Sequence, residues 1–266
     1  MDLLVEASRQ EMIQRAVEDQ GQVLVRGLAS QFGVSMVTIR KDLSDLERRG
    51  VLRRVHGGAV RTDIHDEGSF AYRLGQASGA KGDIAHRAAR LVRDGDTVCL
   101  DGSTTCYFLA QEILDRRELV VVTNSLATAT LLLDHSSATI YLAGGILRRS
   151  SRATLISSSS RAALSGVVSK GFFSCHAITP DAGMSEVSLD EAESKRALVA
   201  NCVQVYALVD SSKFTGLTFQ RWLAPDRLSG LLTDEGATEE QLAPWREMGI
   251  PIDRRDVHRG DGAVAS

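Results

Sequence analysis

Apolar residues recur with a helical period in the first fifth of the chain and in short β-branched runs later, and that change of period divides it. Met12, Ile13, Ala16 and Val17 share one face of a predicted first helix over residues 9–18, which ends near Gly21. A second, short helix carries Leu28 and Ala29, runs to Phe32 and stops at Gly33-Val34. A third opens at Ser35 and places Ile39, Leu43 and Leu46 on one face before a Gly50 stop. Arg53, Arg54 and His56 then run into Gly57-Gly58, the pattern of a short basic β-ribbon. Residues 61–80 lose periodicity and gain Gly, Ser and Asp, so they are expected to form a linker; Phe70, Tyr72 and Leu74 could dock it on a neighbouring domain.

From Lys81 onward, helices are predicted to alternate with strands. Ile84, Ala85, Ala88, Ala89 and Val92 form a helical stripe, and the strand DTVCLD follows. Next come a helix over 105–114, strand LVVVT, a helix over 125–134 and strand ATIYLAGG. A helix over 160–168, strand GFFSCHAI, a helix over 190–201 and strand VQVYALVD complete the series. Such alternation implies crossover units and a mostly parallel sheet, hence an α/β domain over residues 81–253. Residues 254–266 show no pattern and are expected to fray.

The third helix carries the clearest chemistry. Opposite its apolar face lie Val37, Lys41, Ser44 and Arg48, with Thr38 and Arg40 on the flanks. An amphipathic surface helix with solvated charges would look similar. Here, however, a second helix ends a few residues upstream, at helix-turn-helix spacing, and a basic ribbon follows. Arg and Lys reach guanine edges or phosphates, and Ser and Thr reach base edges or thymine methyls. Ser35, Val37, Thr38, Arg40, Lys41, Ser44 and Arg48, with Arg53, Arg54 and His56 of the wing, are therefore candidate contacts to double-stranded DNA.

Charge supports this only locally. The 266 residues carry a net charge of −3, but residues 40–61 hold seven basic and three acidic side chains. Cys99, Cys106, Cys175 and Cys202 form no CxxC pair and have no metal-like spacing with histidine, so buried reduced thiols are expected, with no metal and no cofactor. No charged segment with an apolar core opens the chain, and no run is long enough to span a bilayer, which implies a cytoplasmic protein without a membrane partner.

The strand ends of the second half carry a repeated chemistry. Asp101-Gly102-Ser103-Thr104-Thr105 follows the first strand, and Thr123-Asn124-Ser125 follows the second. Gly144-Gly145, with Arg148 and Arg149 close behind, follows the third. Small hydroxyl residues at a helix N-terminus can be plain caps. Repeated at successive strand ends beside an arginine, they suit a small phosphorylated ligand in the crevice outside the sheet. Lys195 follows Glu191 by four residues and could be only a surface pair. Lys213, past the strand ending in Asp210, sits at another strand end and is the better cation candidate.

Residues 9–60 resemble the N-terminal domain of the DeoR/GlpR family of bacterial transcription regulators. The resemblance rests on Gly21 and Val23, the pair Leu28-Ala29, the run VS..TIRKDL..LE..G.L and the closing R.HGGA. Residues 81–253 are similar to the sensor domain of the same family through LDGSTT, VVTNSL, GG.LRR, EA..KRA, DSSKF and LLTD. The resemblance implies a fold like that of ribose-5-phosphate isomerases and a pocket lined by Asp101, Ser103, Thr104, Thr105, Asn124, Ser125, Arg148, Lys195 and Lys213. Ser103, Ser157, Ser169 and the segment 174–178 depart from the commonest family pattern, in which Gly or Asp is frequent.

The chain therefore reads as a winged helix-turn-helix over residues 1–60, a linker over 61–80 and an α/β sensor. Its expected role is that of a repressor released from its operator by a phosphorylated sugar or polyol. Two-fold operators imply at least a homodimer. The alternatives are a sugar-phosphate isomerase fused to a DNA-binding module, with Asp101, Asp181, Glu191 and Lys195 as acid and base groups, and an architectural DNA-binding protein with no effector.

Overall fold

The computed structural model describes residues 2–20, 22–55, 57–61, 69–156, 166–214 and 220–254. His56, Ser157, the tail beyond 254 and most of the helix expected over 160–168 lie outside these residues; Val168 itself opens a strand. The chain forms two compact units, residues 1–76 and 77–266.

The first unit is built on three packed helices and a β-ribbon, with a short fourth helix added at its end. Helix α1 (Asp2–Gln20) is followed by strand β1 (Gln22–Leu24), helix α2 (Val25–Phe32) and helix α3 (Met36–Arg48). Strands β2 (Leu52–Val55) and β3 (Gly58–Arg61) pair antiparallel as a wing, and β1 joins on the other side of β3. The turn between α2 and α3 has local causes. Gly33 adopts φ 63, which glycine reaches without the usual Cβ penalty, and Ser35 caps α3 by accepting the Thr38 N–H at 3.0 Å. Gly58 is required for packing, since a Cβ there would lie 2.1 Å from the Val23 carbonyl oxygen on β1.

Ile13, Val17, Leu28, Ile39, Leu43, Leu46 and Leu52 form the buried core of this unit. Asp42, fully buried on α3, is held by Arg9 of α1 at 2.6 and 3.1 Å and by Gln10 at 3.4 Å. The back of α3 is thereby fixed to α1 by charge as well as by apolar packing. Two expectations need correction. The first helix begins well before residue 9, and the stretch read as linker contains helix α4 (Phe70–Gly75). Ser69 caps α4, Phe70 is buried, and the Tyr72 hydroxyl accepts from Gln14 at 3.0 Å. The aromatic residues thus dock back on the helix-turn-helix unit.

The second unit centres on a seven-stranded parallel sheet. Its strands are β4 (Thr97–Leu100), β5 (Val120–Thr123), β6 (Thr139–Leu142), β9 (Val168–Phe173), β12 (Cys202–Leu208), β14 (Gly230–Thr233) and β15 (Ile252–Arg254). The spatial order is β15-β14-β12-β9-β4-β5-β6, and every pairing is parallel. One face is covered by α5 (Ser78–Ala89), α6 (Thr104–Glu112) and α7 (Leu126–His135). The other packs on α8 (Leu189–Val199), α9 (Glu239–Glu247) and a small antiparallel sheet of β10 (Ala177–Thr179), β11 (Gly183–Glu186) and β13 (Gln220–Leu223).

The apolar run GFFSCHAI, expected as one strand, is split between β9 and β10 of different sheets. After β6 the Gly144-Gly145 turn leads into a hairpin of β7 (Gly145–Arg148) and β8 (Ala153–Ile156), which the sequence pattern does not indicate. From β4 the chain winds outward through β5 and β6, then returns to β9 on the other flank of β4. The strand order therefore reverses between β4 and β9, and in open parallel sheets the crevice at such a reversal is where ligands bind.

Candidate functional site

On the first unit, α3 turns its polar side outward. Val37 is 71% exposed, and Arg40, Lys41 and Arg48 are exposed with it, while Ile39, Leu43 and Leu46 are buried beneath. The Ser35 and Thr38 hydroxyls bond each other at 2.8 Å at the start of the helix. Arg48 pairs with Asp45 one turn back. Arg54 of β2 donates to the Ser44 hydroxyl at 2.5 Å, and its backbone N–H donates to Glu47 at 2.8 Å. Helix and wing are thus joined edge to edge, and Ser44 and Arg54 belong to one surface. Arg53 lies on β2, and the predicted contact His56 falls outside the described residues.

On the second unit, the turn after β4 lies at the point of strand reversal. Asp101, 1% exposed, accepts the Ser103 N–H at 3.0 Å and, across the crevice, the Ser174 N–H at 3.1 Å. Ser103 caps α6 through the Cys106 N–H at 3.2 Å, leaving the N–H groups of Thr104 and Thr105 in the first turn without intrahelical acceptors. One strand over, Ser125 caps α7 through the Thr128 N–H at 3.1 Å. Asn124 donates its Nδ2 to the Thr154 carbonyl at 2.9 Å, and the Thr154 N–H returns a bond to the Asn124 carbonyl at 2.8 Å. The hairpin is therefore laced to the end of β5. It also closes on the β4 turn, because a Cβ at Gly102 would stand 2.7 Å from the Ala153 Cβ.

Lys195 corrects the sequence expectation most sharply. Spacing offered Glu191 as its surface partner, with Lys213 as the better cation. In the fold the Lys195 side chain is largely shielded in the crevice, 13% exposed and 3.1 Å from Asp101, and it donates to Glu186 and, at 2.6 Å, to the Ser174 carbonyl. Its ammonium lies 5.4 Å from the Trp222 ring centre. Burial alone would favour the neutral amine, but Asp101 and then Glu186 outweigh it and hold Lys195 well above the usual lysine range. Glu191 instead pairs with Arg148 of the hairpin at 2.9 Å, both side chains being half-buried. Lys213 sits on a short 3-10 turn beyond β12, where its side chain has no polar partner among the described residues. Gly144 and Gly145 are exposed at the foot of the hairpin.

Asp101, Ser103, Thr104, Thr105, Asn124, Ser125 and Lys195 thus gather along adjoining strand ends. Arg148 is tied to the same wall through α8, and Lys213 stands at the end of β12, beyond the neighbouring β9. Sequence reasoning missed Glu186, Ser174, Thr154 and Trp222, none of which carries a spacing signal relative to Asp101 or Lys195.

The four cysteines are free and buried. A hydrogen bond with Cys202 followed by burial pushes the Cys99 thiol up, and burial followed by Asp101 does the same to Cys106, so neither supplies a thiolate at neutral pH. Among the described residues no cluster of His, Cys, Asp and Glu could hold a metal ion, and no helix is long and apolar enough to cross a membrane.

Two family models match the chain: the DeoR-like helix-turn-helix domain over residues 9–65 and the DeoR C terminal sensor domain over residues 76–235. The chain is 33% identical to the uncharacterized HTH-type transcriptional regulator YulB of Bacillus subtilis, covering 92% of this chain and 95% of that one. It is 32% identical to the lactose phosphotransferase system repressor of Streptococcus mutans, covering 85% and 91%. Among solved structures, ribose 5-phosphate isomerase A from Methanocaldococcus jannaschii is similar over 51% of this chain and 54% of its own. The identity there is 15% and the TM-score 0.39, a likeness too distant to bear on activity.

Proposed function

The chain belongs to the DeoR family of helix-turn-helix transcriptional regulators, and from that premise we propose that it is a repressor released from its operator by a phosphorylated sugar or polyol. The first unit is the DNA-binding part. Helix α3 enters the major groove with Val37, Thr38, Arg40, Lys41, Ser44 and Arg48, while Arg53, Arg54 and His56 of the wing meet the backbone. Two copies or more read a two-fold operator. The name of the lactose phosphotransferase relative suits a sugar-handling target.

The observation that carries the effector reading is the junction of the β4 and β5 turns under the hairpin, at the strand reversal. It offers the open N–H groups of Thr104 and Thr105, the hydroxyls around them and a nearby arginine. Charge accounting sets the ligand's orientation. Lys195 is neutralised by two carboxylates, so that end of the crevice is rich in acceptors and suits sugar hydroxyls. The phosphate belongs at the start of α6, with Arg148 as its cation. Arg148 has Glu191 as its ion-pair partner, 30% and 22% of the two side chains being exposed, so it can exchange one carboxylate for the phosphate. A charge-assisted bond to phosphate contributes about 1.5–3 kcal/mol.

An isomerase would need a free general base at this point. Asp101 and Glu186 are both committed to Lys195, and Lys195 is itself held protonated. The test is operator titration with and without a panel of hexose, pentose and polyol phosphates at one salt concentration, with turnover of each followed in parallel. A coupling of about 1–3 kcal/mol would lower operator affinity roughly 5- to 150-fold. Turnover without any change in operator affinity would select the enzyme instead.

A further inference from the structure

At the end of β5 a buried polar atom is left without a partner. Asn124 is 6% exposed, and among the described residues its Oδ1 is buried with no hydrogen bond. The orientation of the amide is not arbitrary. The Thr154 carbonyl 2.9 Å away can only accept, so the NH2 group must face it and the oxygen must face the other way. The whole amide lies against the loop opening α6, since an ideal Cβ at Gly102 would lie 3.5 Å from Oδ1 and 3.8 Å from Nδ2; with Nδ2 spent on Thr154, Oδ1 is the atom left to that side. The atom therefore looks onto the same helix N-terminus whose free N–H groups suit an anion. A carbonyl oxygen cannot bond a phosphate dianion, since both are acceptors. It needs a donor, and a buried acceptor left unmet is costly.

We propose that Asn124 Oδ1 accepts a hydrogen bond from a hydroxyl of the effector close to its phosphate-bearing carbon. The site then selects hydroxylated phosphate esters over alkyl phosphates of the same length. This deepens the effector reading above and rests on it. The anion is held by the start of α6, and the adjacent hydroxyl is read by a side chain on the end of β5 that the hairpin fixes in one amide orientation. A hydroxyl one or two carbons from the phosphate is common to polyol and open-chain sugar phosphates, so the device reads the class and not one sugar.

The test uses the full chain, isothermal titration calorimetry and three probes: inorganic phosphate, n-propyl phosphate and glycerol 3-phosphate. The two esters differ only in hydroxyl groups. The parent should bind glycerol 3-phosphate roughly 3- to 10-fold more tightly than n-propyl phosphate, the value of one hydrogen bond. In Asn124→Leu the ratio of the two affinities should fall to about one. Equal affinities in the parent overturn the proposal while leaving the phosphate site standing, and this arm holds even if the variant does not fold. A preference that survives in Asn124→Leu overturns it too, because another group would then be reading the hydroxyl. If none of the three probes binds the parent, the phosphorylated-effector reading fails and the proposal goes with it.

Discussion

Replacing Lys195 by Met removes one cation from between two buried carboxylates. Asp101 and Glu186 are each almost wholly shielded from water, and Lys195 is the cation that bridges them. Taking away one partner of a buried pair leaves uncompensated charge and costs about 3–5 kcal/mol, far more than the pair's net worth against an apolar replacement. In a unit of this size 1 kcal/mol moves the melting point by about 2–4 °C, so the sensor unit should melt about 6–20 °C lower at pH 7. The pH dependence gives the sharper signature. In the parent the Lys195 pKa is raised, so its stabilisation persists below the ordinary lysine range and is lost only as pH climbs through the raised value. In the variant two neighbouring carboxylates cannot both ionise cheaply, and one takes up a proton with a raised pKa. That proton stabilises the variant at low pH and is lost as pH rises. The deficit should therefore shrink as pH falls towards the carboxylate range and grow as pH rises. Glu186→Gln in the Lys195→Met background should restore most of it, because two backbone N–H groups still hold Asp101. Thermal melts of the full chain from pH 4.5 to 9 decide the matter. A deficit below about 2 °C at pH 7, or one that does not change with pH, would refute the reasoning.

Three further outcomes are expected. Arg40→Ala should leave the fold intact and weaken operator binding: by about 1–3 kcal/mol with relaxed specificity at one base pair if it reads a base, or with a salt slope reduced by about one unit if it meets phosphate. Unchanged affinity and slope in a fluorescence titration would take this helix face out of the interface. Arg54→Ala breaks the bond to Ser44 and removes a wing cation, so it should weaken specific and random-sequence DNA alike; loss confined to the operator would mean that the wing reads bases. Arg148→Ala should leave operator affinity without effector unchanged and raise the sugar-phosphate concentration needed for release by about tenfold; release at the parent's concentration would place the anion elsewhere.

What could be read from sequence was whatever local physics settles. Ile39, Leu43 and Leu46 announce α3 because a helix repeats every 3.6 residues, and Ser35 and Gly33 mark its boundary because caps and left-handed turns depend on one or two residues. The short parallel strands of the second unit read clearly for the same reason. The failures lie where the cause is distant. Helix α4 spans six residues, too few for a period to appear, and it is held by a buried Phe70 and a bond from Gln14 on α1. GFFSCHAI contains no Gly or Pro after its first residue to signal a break. The chain nevertheless leaves the main sheet after Phe173, because the backbone of Ser174 is claimed by side chains: its N–H by Asp101 and its carbonyl by Lys195.

The candidate site divides along the same line. Its capped turns were visible because Ser, Thr and Asn at the start of a helix satisfy N–H groups two or three residues away. The charge state of its cations was not visible, because each partner comes from a different segment. Lys195 meets Asp101 and Glu186 only after β4, β11 and α8 have assembled, and Arg148 meets Glu191 only when the hairpin folds down on α8. Counting cations along the chain would make Lys195 and Arg148 equivalent anion ligands. The fold separates them. A lysine facing two buried carboxylates cannot give up its partners to an incoming phosphate without leaving a net negative pocket beside it, whereas a partly exposed arginine with one partly exposed carboxylate can. The same logic explains why Asn124 stands out in the structure and not in the sequence. As a residue before a cap it is ordinary, and only the Thr154 carbonyl, contributed by β8, fixes which end of its amide is left to face a ligand.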